Sequence, residues 1–230
     1  MTRKNDVTES LTGYLKTMNL TDSAIHRLVN EDLEYLLNWE LSPDSSNELE
    51  EAQGIIAFSF GYGPVWDNLG DIEIQSYDPS IHQPGKSNEA FADLIVNLGK
   101  KKEHIFAQWE VAEALRTKHD IQLLDEHIAR PGKSYLGTSG VIRQFLDHGL
   151  KNNYYEKIII VAHRHHTYRC MKIVEKILLD EGFFGKKLVI PSNPDIYDPK
   201  SLQSWTTSLE TWVAYEVGAR FNNRFQKNMS

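Results

Sequence analysis

A chain of 230 residues with 40% hydrophobic and 25% charged residues suffices for one large α/β domain with a buried core. Its formal net charge of -7 at pH 7 argues against a protein that holds nucleic acid non-specifically, since phosphate contacts need a basic surface. The single cysteine, Cys170, excludes an intramolecular disulfide.

The chain contains no apolar run of the roughly 20 residues that span a bilayer. The N-terminal residues Met1–Val7 are polar and do not resemble a secretory signal. We therefore expect a cytoplasmic protein without a membrane partner.

The first 50 residues are predicted to form a helical extension that packs on the core. Apolar residues recur at helical spacing from Val7 to Met18 and again from Ile25 to Leu37. The polar stretch Ser42–Glu51 is expected to be a connector to the next part of the chain.

From Gly54 onward, short apolar runs alternate with amphipathic stretches. The strands are expected at 55–58, 105–109, 121–124, 157–162 and 188–190, and the helices at 87–98, 111–115, 141–146, 170–178 and 202–213. This alternation predicts an α/β fold, a Rossmann-like three-layer structure with a parallel sheet covered on both faces. Right-handed crossovers place the strand-to-helix turns on one edge, where ligands bind in such folds.

The segment from Ala162 to Arg169 contains three histidines and two arginines directly after the most apolar strand. A helix N-terminus favours an anion, and imidazoles exchange protons near neutral pH, so we expect an anion-binding or acid–base site. His166 and Arg169 lie three residues apart and so share a helix face. The alternative is that these histidines are exposed or only cap the helix.

A metal site is the less favoured interpretation of the same histidines. His163 and His165 alternate as two ligands leaving a strand would. No further cluster with metal-ligand spacing follows, and the segment Asp125–His127 joins them only if the fold brings it close.

The tetrapeptide Pro-Gly-Lys-Ser occurs at Pro84–Ser87 and at Pro131–Ser134. A nucleotide-binding P-loop needs another glycine five residues before the Gly-Lys pair, and neither copy has it. We interpret the first copy as a turn with Ser87 as helix cap. The second copy and the preceding Arg130 offer two cations at the ligand edge, where holding a phosphate or carboxylate is as reasonable as a plain surface loop.

Two further features follow the first two strands. The turn Ser59–Pro64 lacks the full dinucleotide fingerprint, but its glycines allow a ligand to approach closely. Glu110 is expected either to orient a histidine or contact a ribose hydroxyl, or simply to favour the helix N-terminus. In the last predicted helix, Trp205, Trp212 and Tyr215 are expected in the core, and Glu210 and Glu216 are expected to be solvated rather than catalytic.

These features together resemble the YdcF-like family, whose relatives include SanA and ElyC, over about Gly54–Arg220. The resemblance lies in the glycine turn, an acidic residue at Glu110 or Glu113, a Ser/Thr-containing loop, and a strand running into His166-x-x-Arg169. It implies a YdcF-like Rossmann-fold domain over residues 54–222, with a polar cleft at the strand ends. Some family members look like S-adenosylmethionine or nucleotide binders.

The leading hypothesis is an enzyme that transfers a group to or from a small anionic or phosphorylated metabolite, or hydrolyses it. Arg169, with Lys133 or Arg130, would hold the anion, His166 would be the acid–base group, and Glu110 would orient it. The residues expected to bind substrate are Gly61, Tyr62, Gly63, Arg130, Lys133, Ser134, Thr138, His163 and His165. The alternatives are a non-catalytic binder of S-adenosylmethionine or a nucleotide, and a scaffold for a partner protein.

Overall fold

The computed structural model describes residues 12–13, 15–16, 21–27, 41–64, 82–131, 136–147 and 155–216. The chain divides into two compact units, Met1–Leu41 and Ser42–Ser230. In the first unit, helix α1 spans Asp22–Arg27, and residues 12–13 and 15–16 are also helical. Most of the two helices predicted here lies outside the described residues, and the packing of the extension on the core stays a prediction.

The second unit begins within the stretch that we expected to be a connector. That expectation is wrong in part, because Ser46–Glu51 forms helix α2. Its N-cap is Ser45, whose hydroxyl accepts a hydrogen bond from the Glu48 backbone N–H at 3.4 Å. Asp44 connects this segment to the end of β7, because its carboxylate accepts a hydrogen bond from the Ile190 backbone N–H at 2.8 Å.

Five described strands form a parallel sheet in the order β5-β4-β1-β6-β7, and two more form a separate antiparallel pair. The strands are β1 Gly54–Ala57, β2 Gly63–Pro64, β3 His82–Gln83, β4 Ile105–Gln108, β5 Ile128–Ala129, β6 Lys157–Val161 and β7 Lys187–Val189. The prediction of an α/β fold with a Rossmann-like parallel sheet is confirmed.

Helices cover both faces of the sheet. They are α3 Lys86–Asn97, α4 Trp109–His119, α5 Thr138–Phe145 and α6 Thr167–Asp180, with 3-10 turns at Lys102–His104, Asp125–His127 and Ser204–Thr206 and a helical segment at 209–216. Helices α3 and α4 pack on each other, as do α5 and α6. Alternate strand residues such as Ile56, Phe106 and Ile160 form one core cluster with α5 and α6, as the two-residue period of a strand requires.

Three local predictions are wrong, one of them in part: of the helix expected at 202–213, only the residues from 209 onward are α-helical, after a 3-10 turn at Ser204–Thr206. Ile121–Leu124 is not a strand, because Asp120 ends α4 in a left-handed conformation (φ 55°) and a 3-10 turn intervenes before β5. The N-cap of α3 is Gly85, two residues before the expected cap Ser87, and the N-cap of α5 is Gly137. Gly85 has no side chain to cap α3. The carboxylate of Asp198, distant in the sequence, instead accepts a hydrogen bond from the Lys86 backbone N–H at 3.0 Å.

The strand order places β1 between β4 and β6. From β1 the chain moves outward to β4 and β5, and it then crosses back to β6 and β7 on the other side. The carboxyl ends of β1 and β6 therefore flank the crevice where ligands bind in doubly wound sheets. Every helix of the described residues is too short or too polar to traverse a membrane.

Candidate functional site

The carboxyl ends of the three central strands lie level with one another. Ala57 of β1 pairs with Ala107 of β4 on one side and with Val161 of β6 on the other. The residues that follow these positions therefore meet at one edge of the sheet. This edge contains the glycine turn, Glu110 and the histidine segment, as the sequence predicted.

Two buried amide side chains fix the backbone that leaves β1. Gln108 accepts a hydrogen bond from the Ser59 backbone N–H at 3.2 Å. Asn88 accepts one from the Phe60 N–H at 3.0 Å and donates one to the Gly61 carbonyl oxygen at 2.6 Å. Both amides are almost fully buried, so the path of this turn is set from within the fold.

Glu110 lies in the first turn of α4 and is fully buried. Burial raises the pKa of its carboxyl group to about 8, although the nearby Ser59 hydroxyl and a backbone N–H favour the charged form. Among the described residues, neither carboxyl oxygen nor the Ser59 hydroxyl has a partner in hydrogen-bonding geometry. With that pKa the carboxyl group is mostly protonated at neutral pH, and the Ser59 hydroxyl is the side-chain group that interacts with it.

His163 follows β6 and is fully buried against the ring of Phe60. The two ring centroids lie 3.9 Å apart and the ring planes differ by 16°. The Nδ1 atom of His163 accepts the backbone N–H of His165 at 3.3 Å, and burial lowers its pKa well below the ordinary value. The ring is therefore neutral with its proton on Nε2, a buried atom without a partner among the described residues.

His166 occupies the N-cap position of α6 without a side-chain capping hydrogen bond, and its ring contacts Arg169, which in turn pairs with the Glu216 carboxylate. The Nε atom of Arg169 donates to Nδ1 of His166 at 3.2 Å, and its Nη1 donates to Glu216. Burial and the charge of Arg169 lower the pKa of His166 well below its ordinary value. Glu110, which we expected to orient His166, makes no hydrogen bond to it; Arg169 occupies that position.

Aromatic side chains from the segment after β7 surround this corner. The Tyr197 hydroxyl and Nδ1 of His165 lie 2.9 Å apart, and the rings of Tyr197 and Trp205 meet Phe60 edge-on at 5.7 and 5.5 Å. Trp205 stacks on the half-exposed ring of Tyr215 with centroids 4.9 Å apart. The segment after β7 thus forms one wall of the site.

The glycine turn packs against that same wall. Gly61 has a φ of 78°, and a Cβ atom built there would lie 2.4 Å from Oγ1 of Thr206. The space beside the Gly61 Cα atom is therefore filled by the Thr206 side chain, and the expectation that this glycine lets a ligand approach closely is wrong. Gly63 is buried in β2, and Tyr62 lies against His82 and Trp109, with its pKa raised by burial and by Glu110.

The middle loop contributes less to the described site than the sequence predicted. Arg130 is exposed and pairs with Asp125 at 3.3 Å. The strand that precedes it, β5, lies three strand spacings from β6, roughly 14 Å. Thr138 begins α5, where its hydroxyl lies beside the Cys170 thiol. Lys133 and Ser134 lie outside the described residues.

The part of the chain that the structure describes contains no group of three or more His, Cys, Asp or Glu side chains placed to hold a metal ion. The segment Asp125–His127 precedes β5, whereas His163 and His165 follow β6. Because β5 and β6 run parallel, the first segment lies at the amino ends of the strands and the second at their carboxyl ends. The condition for a shared metal site is not met.

Sequence patterns missed several residues of this site. The expectation that Glu216 is solvated is wrong, since its side chain is 1% exposed and pairs with Arg169. Phe60, Asn88 and Tyr197 were not singled out either. The only sequence signal for Phe60 was its position in a turn already selected.

Comparisons of the chain with protein-family models, with curated proteins and with solved structures found no match. The resemblance to the YdcF-like family therefore stays a prediction.

Proposed function

We propose that the protein is a cytoplasmic Rossmann-like enzyme that transfers a group to or from a small anionic or phosphorylated metabolite, or hydrolyses it. One observation carries the proposal. Buried polar groups without partners among the described residues, namely Ser59, Glu110 and His163, follow the ends of three adjacent strands. Buried polar groups in proteins are nearly always hydrogen-bonded, so unpaired ones at a ligand-binding edge favour a bound polar molecule.

The hydrogen-bonding character of these groups supports an electron-rich ligand. At neutral pH the Glu110 carboxyl group carries a proton, and His163 carries its proton on Nε2. Both groups, like the Ser59 hydroxyl, can donate to a carboxylate or phosphoryl oxygen. Donors held in place before the ligand arrives stabilise negative charge on oxygen without reorganisation.

The chemistry follows from two further features of the site. A carboxyl group with a pKa of about 8 is suited to donate and accept protons near neutral pH, which makes Glu110 the acid–base group of the proposal. Arg169 keeps a quarter of its side chain exposed and has N–H groups beyond those that contact His166 and Glu216. It can therefore contact an anionic group of the substrate, although Glu216 balances its charge.

The proposal is tested by turnover of a panel of phosphomonoesters, nucleotides and small carboxylates, followed by variants on the substrate that reacts. We expect Glu110→Gln, His166→Gln and Arg169→Met each to lower kcat/KM by about 100-fold or more. The control is Glu113→Gln, because Glu113 lies on the same helix but pairs with Arg116 toward solvent. Unchanged turnover in all three site variants would refute the proposal.

A second candidate is a non-catalytic binder of S-adenosylmethionine or a nucleotide. The stacked and partly exposed pair Trp205 and Tyr215 favours it, since aromatic faces stack on nucleobases. Such a binder would be stabilised by its ligand in a thermal-shift assay and would release it unchanged. Trp205→Ala would abolish that stabilisation, whereas Glu110→Gln would retain part of it.

A further inference from the structure

His166, Arg169 and Glu216 form a chain of contacts that joins α6 to the helical segment 209–216. Arg169 donates to Nδ1 of His166 from one end of its guanidinium group and to the Glu216 carboxylate from the other. A guanidinium group has only donors, so Nδ1 of His166 must be the acceptor. The proton of the neutral ring consequently lies on Nε2.

The surroundings of His166 disfavour its charged form. The ring is 4% exposed, and it faces His163 from its own turn, Arg169 from α6, and the uncharged ring of Phe60 from the segment after β1. Glu216 is the one acidic group in this contact chain, and it reaches the ring only through Arg169. Burial and the adjacent guanidinium group both lower the pKa of His166, so the neutral ring persists at physiological pH.

Glu216 holds the guanidinium group of Arg169 in place beside His166. Its side chain is 1% exposed, and it holds one end of a guanidinium group whose other end contacts His166. Without this carboxylate, Arg169 would be a partly buried cation without its charge partner, and such a cation moves toward solvent. The contact to Nδ1 would then be lost, and the ring would be free to move its proton to either nitrogen.

We propose that Glu216 is a positioning residue that acts through Arg169 to hold His166 as a neutral hydrogen-bond donor. The Nε2–H group then donates to an oxygen of the ligand, as Nε2–H of His163 is placed to do. His166 therefore binds and polarises the ligand rather than removing a proton from it, and proton transfer is left to Glu110. The inference rests on the proposed function only where it names the ligand oxygen and leaves proton transfer to Glu110.

The tautomer can be measured without any ligand. Long-range ¹H–¹⁵N correlation spectra of the full-length ¹⁵N-labelled chain distinguish protonated from unprotonated ring nitrogens, and His166→Gln assigns the His166 signals by their loss. We expect an unprotonated Nδ1 and a protonated Nε2 in the wild type. A proton on Nδ1, or on both nitrogens, at pH 7 would overturn the inference whatever the variants do.

The role of Glu216 is tested by Glu216→Gln, with Glu210→Gln as the control from an exposed position of the same helical segment. We expect Glu216→Gln to shift the His166 nitrogens toward a mixture of tautomers, while Glu210→Gln leaves them unchanged. Glu216→Asp keeps the charge and should retain the wild-type spectrum in part. A spectrum unchanged in folded Glu216→Gln would overturn the positioning role, and it would do so independently of the turnover test of the proposed function.

Discussion

The ring of Phe60 lies flat against the ring of His163, with centroids 3.9 Å apart and 16° between the planes. Phe60 follows β1 and His163 follows β6, so this contact joins the two strands that flank the crevice. It buries both rings and aligns His163 with its unpartnered Nε2 in the candidate site. The same contact therefore packs the core and positions a buried imidazole nitrogen of the candidate site.

Phe60→Ala should lower the free energy of unfolding by ~3–5 kcal/mol, because it removes a fully buried ring and leaves a cavity beside His163. Chemical denaturation followed by circular dichroism measures this. Phe184→Ala is the matched control, since Phe184 is 74% exposed and its loss should change stability by no more than about 0.5 kcal/mol. Equal effects of the two variants would contradict the packing described for Phe60.

Glu110 should make stability fall as the pH rises. Its folded pKa of about 8 lies above the ordinary value of 4.5. Between these two pH values the folded chain binds more protons than the unfolded chain, so the free energy of unfolding decreases as the pH rises. The contribution is constant below pH 4.5 and above pH 8. Denaturation curves across this range should show that Glu110→Gln removes the decline, whereas Glu110→Asp keeps it. A parallel pH dependence in wild type and Glu110→Gln would show that Glu110 is charged in the folded state.

Gly61→Ala should destabilise the protein for two reasons, its positive φ and the contact of the new Cβ with Thr206 at 2.4 Å. Gly185→Ala isolates the first reason, because Gly185 has nearly the same φ (77°) and no atom within 4 Å of the added Cβ. We expect a loss of about 1 kcal/mol for Gly185→Ala and a larger loss for Gly61→Ala. If the melting temperature decreased by the same amount in both variants, close packing of Gly61 on Thr206 would be excluded.

Cys170 should be chemically inert in the folded protein. Its side chain is fully buried, and burial raises the pKa of the thiol to about 12, so almost no thiolate exists near neutral pH. Iodoacetamide at pH 8 should therefore label the chain only after unfolding in denaturant, as mass spectrometry would show. Rapid labelling of the native chain would mean that the core between α5 and α6 opens readily.

Local patterns in the sequence were sufficient for most of the sheet. Apolar runs such as Ile158–Val161 are long and continuous, and each precedes a stretch with helical periodicity. The third strand was misplaced because β5 has only two residues, Ile128 and Ala129, too few for a periodic signal. Its pairing with β4, rather than its own pattern, makes it a strand.

The sequence by itself determined the α/β architecture and the placing of Glu110 and the histidine segment at the carboxyl ends of the parallel strands. The architecture follows from hydrophobic periodicity, which is a property of residues close together in the sequence. The placing of the two segments follows from the general right-handedness of crossover connections. Only the tertiary structure decided which side chains meet there. The partner of Arg169 is Glu216, 47 positions along the chain, and the amide that holds Phe60 comes from Asn88, 28 positions along. Such pairs depend on how separate elements pack in space, and spacing along the chain does not record that.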